Sequence, residues 1–208
     1  MNKYKEAWDK IHKQYFTGTI KTDDWLNKYD DIINSSNEEV IDLGCGTGNN
    51  SLYLLERGKH VIACDYSDEA MRIVKEHLPT IKTKQFDMTE TFPFEDNFTD
   101  LVIADLCLHY FSNEDTIKIL KELKRVIIPN SNLIFRVNSV NDVNHGAMQG
   151  KKIEEHYYEL SDMRKRFFDR EDFNKYFNDW DIVDLNEDVM TRYVNPKILW
   201  KGLVKNRK

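Results

Sequence analysis

The chain has 208 residues, 40% hydrophobic and 32% charged, with a formal net charge of −6. That length and balance suit one α/β domain with its own core, and an acidic total argues against a nucleic-acid-binding face, which is normally basic. The first ten residues are polar with no apolar segment behind them, and the longest apolar run, Leu101 to Leu108, is interrupted by Asp105, so neither a leader nor a membrane span is expected. Cys45, Cys64 and Cys107 lack metal-ligand spacing and read as buried thiols of a reducing cytoplasm. No metal site is expected.

The chain opens on Tyr4, Trp8, Ile11, Tyr15 and Phe16, an amphipathic stripe at spacings of three and four that Gly18 ends. Thr22-Asp23-Asp24 looks like a cap for a second stripe through Trp25, Leu26, Tyr29, Ile32 and Ile33. Both stripes are expected to pack on a sheet, making residues 1–36 a helical cover. Trp8, Tyr15 or Phe16 could also roof a ligand pocket. The pairs Asp23-Asp24 and Asp30-Asp31 read as a cap and a solvated face.

Val40-Ile41-Asp42-Leu43 has the short β-branched pattern of a buried parallel strand. Gly44-Cys45-Gly46-Thr47-Gly48 follows, then a helical segment from Asn49. Glycines between a strand and a helix put bare backbone at the carboxyl edge of a sheet, where a Cβ would keep a ligand off the main chain. His60 to Asp65 is a second strand, ending in a carboxylate about 20 residues past the first glycine, the spacing that suits a ribose diol. Ser67 caps a helix that Pro79 ends. Thr80 to Phe86 is a third strand, closed by Asp87-Met88, and Phe98 to Leu108 is a fourth, holding Asp105. Asn113 to Val126 is a helix with Ile117, Leu120, Leu123 and Val126 on one stripe. Pro129 to Asn132 is read as a turn into a fifth strand, Leu133 to Val137.

This alternation calls for a parallel sheet with helices on both faces. Residues 138–170 break the rhythm: a polar, glycine-punctuated loop over 138–152, then a hairpin or lid formed by 155–160 and 163–168. A helix at 170–177 and closing strands at 180–185 and 198–204 complete one domain spanning 1–208. In an open parallel sheet, Asp65, Asp87 and Asp105 would converge with the glycine turn on one crevice, which points to a nucleoside ligand. The glycine pattern is G-x-G-x-G, not the G-x-G-x-x-G of dinucleotide folds. The one Tyr-x-x-x-Lys, Tyr193 to Lys197, contains Pro196 and cannot be helical. A nicotinamide oxidoreductase is therefore a distant alternative.

In VIDLGCGTG, VIACDYS, QFDMT and DLVIADLCLHYF, residues 38–137 resemble the class I S-adenosylmethionine-dependent methyltransferases. Within that family the chain is most similar to bacterial small-molecule enzymes, including those resembling tellurite-resistance methyltransferases. The resemblance implies a Rossmann-like, seven-stranded, mostly parallel sheet with the last strand antiparallel. It implies S-adenosylmethionine as cofactor, S-adenosylhomocysteine as product and an EC 2.1.1-type methyl transfer. It also implies Asp42 and the backbone of Gly44, Cys45 and Gly46 at the methionine moiety, Gly48 and Asn49 among the cofactor-binding residues, Asp65 on the ribose, and Tyr66 near the adenine. Asp87 and Met88 would read the adenine edge, with Asp105 and Leu106 lining the other side.

Methyl transfer asks for alignment and exclusion of water more than for acid–base groups. His109 is a candidate general base on the strength of its near-neutral titration. Arg136, charged in an apolar strand, either forms a buried ion pair or binds an anionic substrate. Tyr15, Tyr110 and Tyr157 are candidates for an aromatic acceptor pocket. Lys151-Lys152 and Arg164-Lys165-Arg166 are basic patches on the lid side that read as a solvated face, with a phosphate site as the alternative. After Asp105 the chain has Leu106-Cys107-Leu108, not a Pro-Pro-aromatic element, so nucleic-acid amines are not the expected acceptors. The expectation is a cytoplasmic enzyme, monomeric or weakly dimeric, acting on a small molecule. A catalytically silent nucleoside-binding regulator on the same fold is the alternative.

Overall fold

A computed structural model describes residues 3–161 and 163–207. The chain runs through α1 (Lys3–Tyr15), a 3-10 turn (Asp24–Tyr29), α2 (Asp30–Ser35), β1 (Val40–Leu43), α3 (Asn49–Glu56), β2 (Val61–Asp65), α4 (Asp68–His77), β3 (Lys82–Gln85) and β4 (Thr99–Asp105). A second 3-10 turn (Leu108–Tyr110) leads to α5 (Asn113–Val126) and β5 (Ile127–Asn138). Then come β6 (Lys151–Glu154), β7 (Tyr157–Leu160), β8 (Met163–Arg166), α6 (Arg170–Tyr176), β9 (Trp180–Met190) and β10 (Lys197–Asn206).

The main sheet has seven strands in the order β3-β2-β1-β4-β5-β10-β9, all parallel but β10, which pairs antiparallel with both β5 and β9. The expected architecture is what forms. Strand order reverses between β1 and β4, and that is where a doubly wound sheet opens its crevice. Leu43, Val102, Leu133 and Phe135 bury one face under α5 and α6; Val40, Ile103 and Ile134 bury the other under Trp25, Leu26 and Ile33.

Local chemistry accounts for the helix starts. Ser67 Oγ accepts from the Ala70 amide and Ser112 Oγ from the Asp115 amide, while Asp169 and Asp172 form a reciprocal capping box at α6.

Several details differ from the sequence reading. β5 begins at Ile127: Pro129 to Asn132 does not turn the chain out of the sheet. Thr99 pairs with Ile127 and Leu101 with Asn132, so the residues between are absorbed as a bulge, with Asn130 at φ 65°. On α5 the inward stripe is Thr116, Ile119, Leu120, Leu123 and Val126; Ile117 lies one step off that face and is exposed. The expected hairpin is a separate three-stranded antiparallel sheet, β6-β7-β8. α1 makes its main contact with a helix and not, as expected, with the sheet. It lies against α4, with Trp8 edge-on to Tyr110 at 4.9 Å between ring centroids. No helix among the described residues is long and apolar enough to cross a membrane.

Candidate cofactor and acceptor site

The glycine turn needs its glycines. Gly44 and Gly46 sit at φ +67° and +53°, where side chains are strained. A Cβ on Gly44 would also lie 2.4 Å from Cys107 Cβ. The floor of the crevice at these two positions is therefore main chain. Gly48 starts α3 at φ +91° and faces Val74 and Leu78 of α4, while the Asn49 amide turns away to the Lys21 carbonyl. Both shape the turn from behind, and the Cys45 thiol is buried beneath it.

Around that floor the strand ends deliver their carboxylates. Asp65 accepts from the Gly46 amide at 2.8 Å with Oδ2 and from the Ser67 amide at 2.9 Å with Oδ1. Each oxygen has a lone pair left over, which fits a vicinal diol. Asp87 Oδ1 accepts from the Thr89 amide and hydroxyl. The Met88 methyl lies 3.1 Å from the place a Cβ would occupy on Gly44. Tyr66 lies beneath the Lys5 ammonium, 5.8 Å from the ring centroid. Leu106 is held at φ 53°, an unfavourable conformation for a bulky side chain, and its amide donates to the Arg136 carbonyl.

Asp42 is wholly buried at the end of β1. Ser51 Oγ donates to its Oδ2 at 2.5 Å, and its Oδ1 has no partner among the described residues. Burial, aided by the Asp105 and Asp65 charges, pushes its pKa up to about 7 against the pull of the Ser51 hydrogen bond. A carboxyl raised in the folded state contributes stability that is complete below its unfolded pKa and is lost as pH rises toward 7. From pH 5 to 7.5 the chain should lose about 3 kcal/mol relative to D42N. Urea unfolding of the two proteins at both pH values measures this, and parallel curves would contradict it.

α1 roofs this region. His12 Cε1 stands 3.2 Å from where a Cβ on Gly46 would be, and Asp9 accepts from the Ser67 hydroxyl and the Glu69 amide. Of the aromatic candidates on α1, Trp8 stacks on His12 and meets Tyr110 edge-on, whereas Tyr15, at the end of the helix, is 71% exposed. Tyr15 is thus not in an acceptor pocket. Tyr157 is a wall: its hydroxyl donates to the Tyr110 carbonyl, joining β7 to the turn after β4.

Arg136 does not offer its charge to a substrate. It is 1% exposed, bonded to Asp105 at 2.6 and 2.8 Å, near Asp23 at 3.3 Å, and stacked 4.3 Å from the Trp25 ring. A guanidinium this deep must be neutralised, and the strand-end carboxylate does it. Asp23 thereby combines capping with ion pairing. The supposed solvated run 164–166 divides as well. Arg166 is buried, donating to Glu154 and to the Phe111 and Glu155 carbonyls, because it pins the small sheet to the body.

His109 is 1% exposed, and burial, then the Lys197 and Lys165 charges, hold its pKa well below the usual imidazole value. Such a ring is neutral at pH 7 and a weak base; it suits a hydrogen-bonding role better than proton removal. Sequence reasoning passed over three neighbours. Asn50 spans from the Trp25 indole at 2.9 Å to Asp105 at 3.4 Å. Asn138 ends β5, and Lys197 is bonded to buried Asp142 at 3.0 Å. Asn138 alternates with Arg136 on the strand, which is the signal that could have placed it on the crevice side.

Residues 41–135, which carry the glycine turn and every strand-end carboxylate but none of the lid, match a family model described as a methyltransferase domain. The chain is 31% identical over 122 residues to an uncharacterized methyltransferase of Schizosaccharomyces pombe, covering 56% of this chain but only 46% of that protein, so it spans about half that relative's length. It is 24% identical to an uncharacterized methyltransferase of Oceanobacillus iheyensis over 83% of this chain and 88% of the relative. Its fold is similar to that of a methyltransferase of Methanosarcina mazei, with a TM-score of 0.71 at 19% identity over 81% of this chain and 92% of the other. With main chain for a floor, a diol-matched carboxylate and an acidic surround for a sulfonium, the crevice within residues 41–135 has what a methyltransferase domain with S-adenosylmethionine as cofactor requires.

Proposed function

We propose that the chain transfers a methyl group from S-adenosylmethionine to a small-molecule acceptor. The observation that carries this reading is the enclosure of the crevice mouth. Trp8 from α1 and Tyr157 from β7 both close on Tyr110, one edge-on at 4.9 Å and the other through a 3.1 Å hydrogen bond. A mouth walled from two sides by aromatic rings suits a compact acceptor better than a polymer strand.

Bound at the glycine turn, S-adenosylmethionine would supply an electrophilic methyl carbon for a lone pair of the acceptor, its sulfur keeping the electron pair of the broken bond. The chain's residues then have three tasks. Asp65 and the Gly44 to Gly46 backbone hold the nucleoside and the amino-acid end. Asp105, fixed by Arg136, keeps negative charge beside the cationic cofactor. Trp8, Tyr110 and Tyr157 exclude water from the attacking atom. In this reading no residue need take a proton, and His109 lines the acceptor side. The three unpaired buried thiols accord with a cytoplasmic protein. The tellurite-resistance likeness is one choice within this class, and the geometry does not single it out.

The test is S-adenosylhomocysteine release from S-adenosylmethionine across small-molecule acceptors, with calorimetry of S-adenosylhomocysteine binding alongside. Micromolar binding with turnover of at least one acceptor is expected. Tight binding with no turnover across a broad panel would instead make the chain a nucleoside-binding regulator.

A further inference from the structure

The acceptor side of the crevice holds an arrangement that methyl transfer alone does not require. Where β5 and β10 end side by side, Asn138 is paired in register with Leu199, two residues from Lys197. Directly paired and alternate residues share a face, so Asn138 and Lys197 project to the same side as Arg136. Both amide atoms of Asn138 are buried without a hydrogen-bond partner among the described residues, and so is Nδ1 of His109. Buried polar groups are normally satisfied, and three orphans beside one another's elements need an explanation.

Their electrostatic setting narrows it. Lys197 is bonded to Asp142, whose other oxygen accepts from the Ile198 amide. The Lys165 ammonium, on β8, has no hydrogen bond or ion pair among the described residues, and it feels the charges of Lys197 and Asp142 and acts on His109. Burial, then the Lys197 charge, pulls its pKa down, with Asp142 opposing. Two ammonium groups thus lie in the field of one carboxylate, and the strands that carry them adjoin the turn that holds His109 (β8) and the strand that ends in Asn138 (β10). In a chain of net charge −6, this is a local excess of positive charge. The cofactor side of the same crevice, with Asp42, Asp65 and Asp105, is acidic. Tyr158, the cross-strand partner of Lys165, lines a cavity of about 130 Å³ with Val140, Met148, Phe167, His156 and Glu155, which gives the same face of the small sheet a mostly apolar wall.

Building on the methyltransferase reading above, we propose that the acceptor carries an anionic group, a carboxylate or its equivalent, bound by Lys165 with the Asn138 amide and His109 Nδ1. An anion there satisfies the spare ammonium and accepts from the Asn138 Nδ2 hydrogens. It sets the acceptor's negative end opposite the acidic, sulfonium-binding side. The acceptor class is then a small organic acid with an apolar body.

The experiment compares acids with their neutral amides on the full chain saturated with S-adenosylhomocysteine: 4-hydroxybenzoate against 4-hydroxybenzamide, and phenylacetate against phenylacetamide, by calorimetry, with inorganic phosphate as a bare anion. Each acid should bind at least tenfold tighter than its amide. K165M should erase that preference and K165R keep it, with S-adenosylhomocysteine affinity and melting temperature unchanged in both. Amides binding as well as acids, no acid binding at 10 mM, or a K165M protein that keeps the preference would each overturn the assignment. The two readings fail separately. A chain that does not bind S-adenosylhomocysteine refutes the cofactor reading, whereas normal cofactor binding without acid preference refutes only the anion site.

Discussion

R136M should cost about 3–5 kcal/mol of folding stability, the range for removing one partner of a buried ion pair. For a chain of this size that lowers the melting temperature by roughly 10 °C. The cost arises because Asp105 stays behind. Its carboxylate, bonded to Nε at 2.6 Å and Nη2 at 2.8 Å, would keep only Asn50, 3.4 Å away. Asp23 is less affected, since Arg192 stands 3.5 Å from it on the exposed side. The lost stacking of the guanidinium on Trp25 adds a smaller amount. The double variant D105N/R136M should recover more than half of the loss, because an amide at 105 leaves no uncompensated charge. Cofactor affinity should separate from stability: it falls in R136M and stays low in the double variant, which lacks the negative charge. Equilibrium urea unfolding and calorimetry with S-adenosylmethionine, which carries the sulfonium that S-adenosylhomocysteine lacks, measure both on all three proteins. A single variant within 1 kcal/mol of the parent, or additive effects, would show that the pair is not the structural clamp described.

Which parts of the fold could be read from sequence follows from how local their causes are. β1, the glycine turn and α3 are set within a few residues: a β-branched run, glycines forced to positive φ, a helical stripe. The 113–126 helix forms over the range its apolar spacing predicts, and Ser112 supplies a cap oxygen at its start. Asp65 was legible as a ligand because strand, turn and helix between Gly44 and Asp65 fix its spacing. The rest depends on where distant segments meet. Nothing local announces that Asp23 caps a turn and also reaches Arg136, a contact across 113 residues. Arg166 sits in a basic triplet that looks solvated, and only the docking of β6–β8 against the turn after β4 buries it. Ile117 and Ile119 are equally apolar, and the side on which α5 meets β5 and α6 decides which of them is covered. The orphaned atoms of Asn138 are invisible in any pattern, since a sequence cannot show a missing partner.

D65A is the substitution expected to do most to cofactor binding. The carboxylate has two kinds of work in the structure: it ties down the glycine turn through the Gly46 amide, and it organises the entry to α4 through the Ser67 amide. The remaining lone pairs face the position of a ribose diol in the methyltransferase reading. A hydrogen bond to a charged acceptor is worth about 1.5–3 kcal/mol, so losing two ribose hydroxyls amounts to ~3–6 kcal/mol, or about 10²–10⁴-fold in affinity. Loss of the two backbone bonds should appear separately, as a drop of about 1–2 kcal/mol in the stability of the ligand-free chain. D65N distinguishes the contributions: one amide oxygen accepts from a backbone N–H or from a hydroxyl, while its NH₂ cannot accept at all. It keeps one of the two backbone bonds and should therefore lose less stability than D65A, yet bind S-adenosylhomocysteine at least tenfold more weakly. Adenine alone, which lacks the diol, should bind the parent and D65N equally. Calorimetry with both ligands reads the difference. Should D65A bind S-adenosylhomocysteine within threefold of the parent, the carboxylate's only role would be to hold the turn. The ribose would then have to be held by main chain, which at Gly46 faces the same crevice and donates where a hydroxyl could accept.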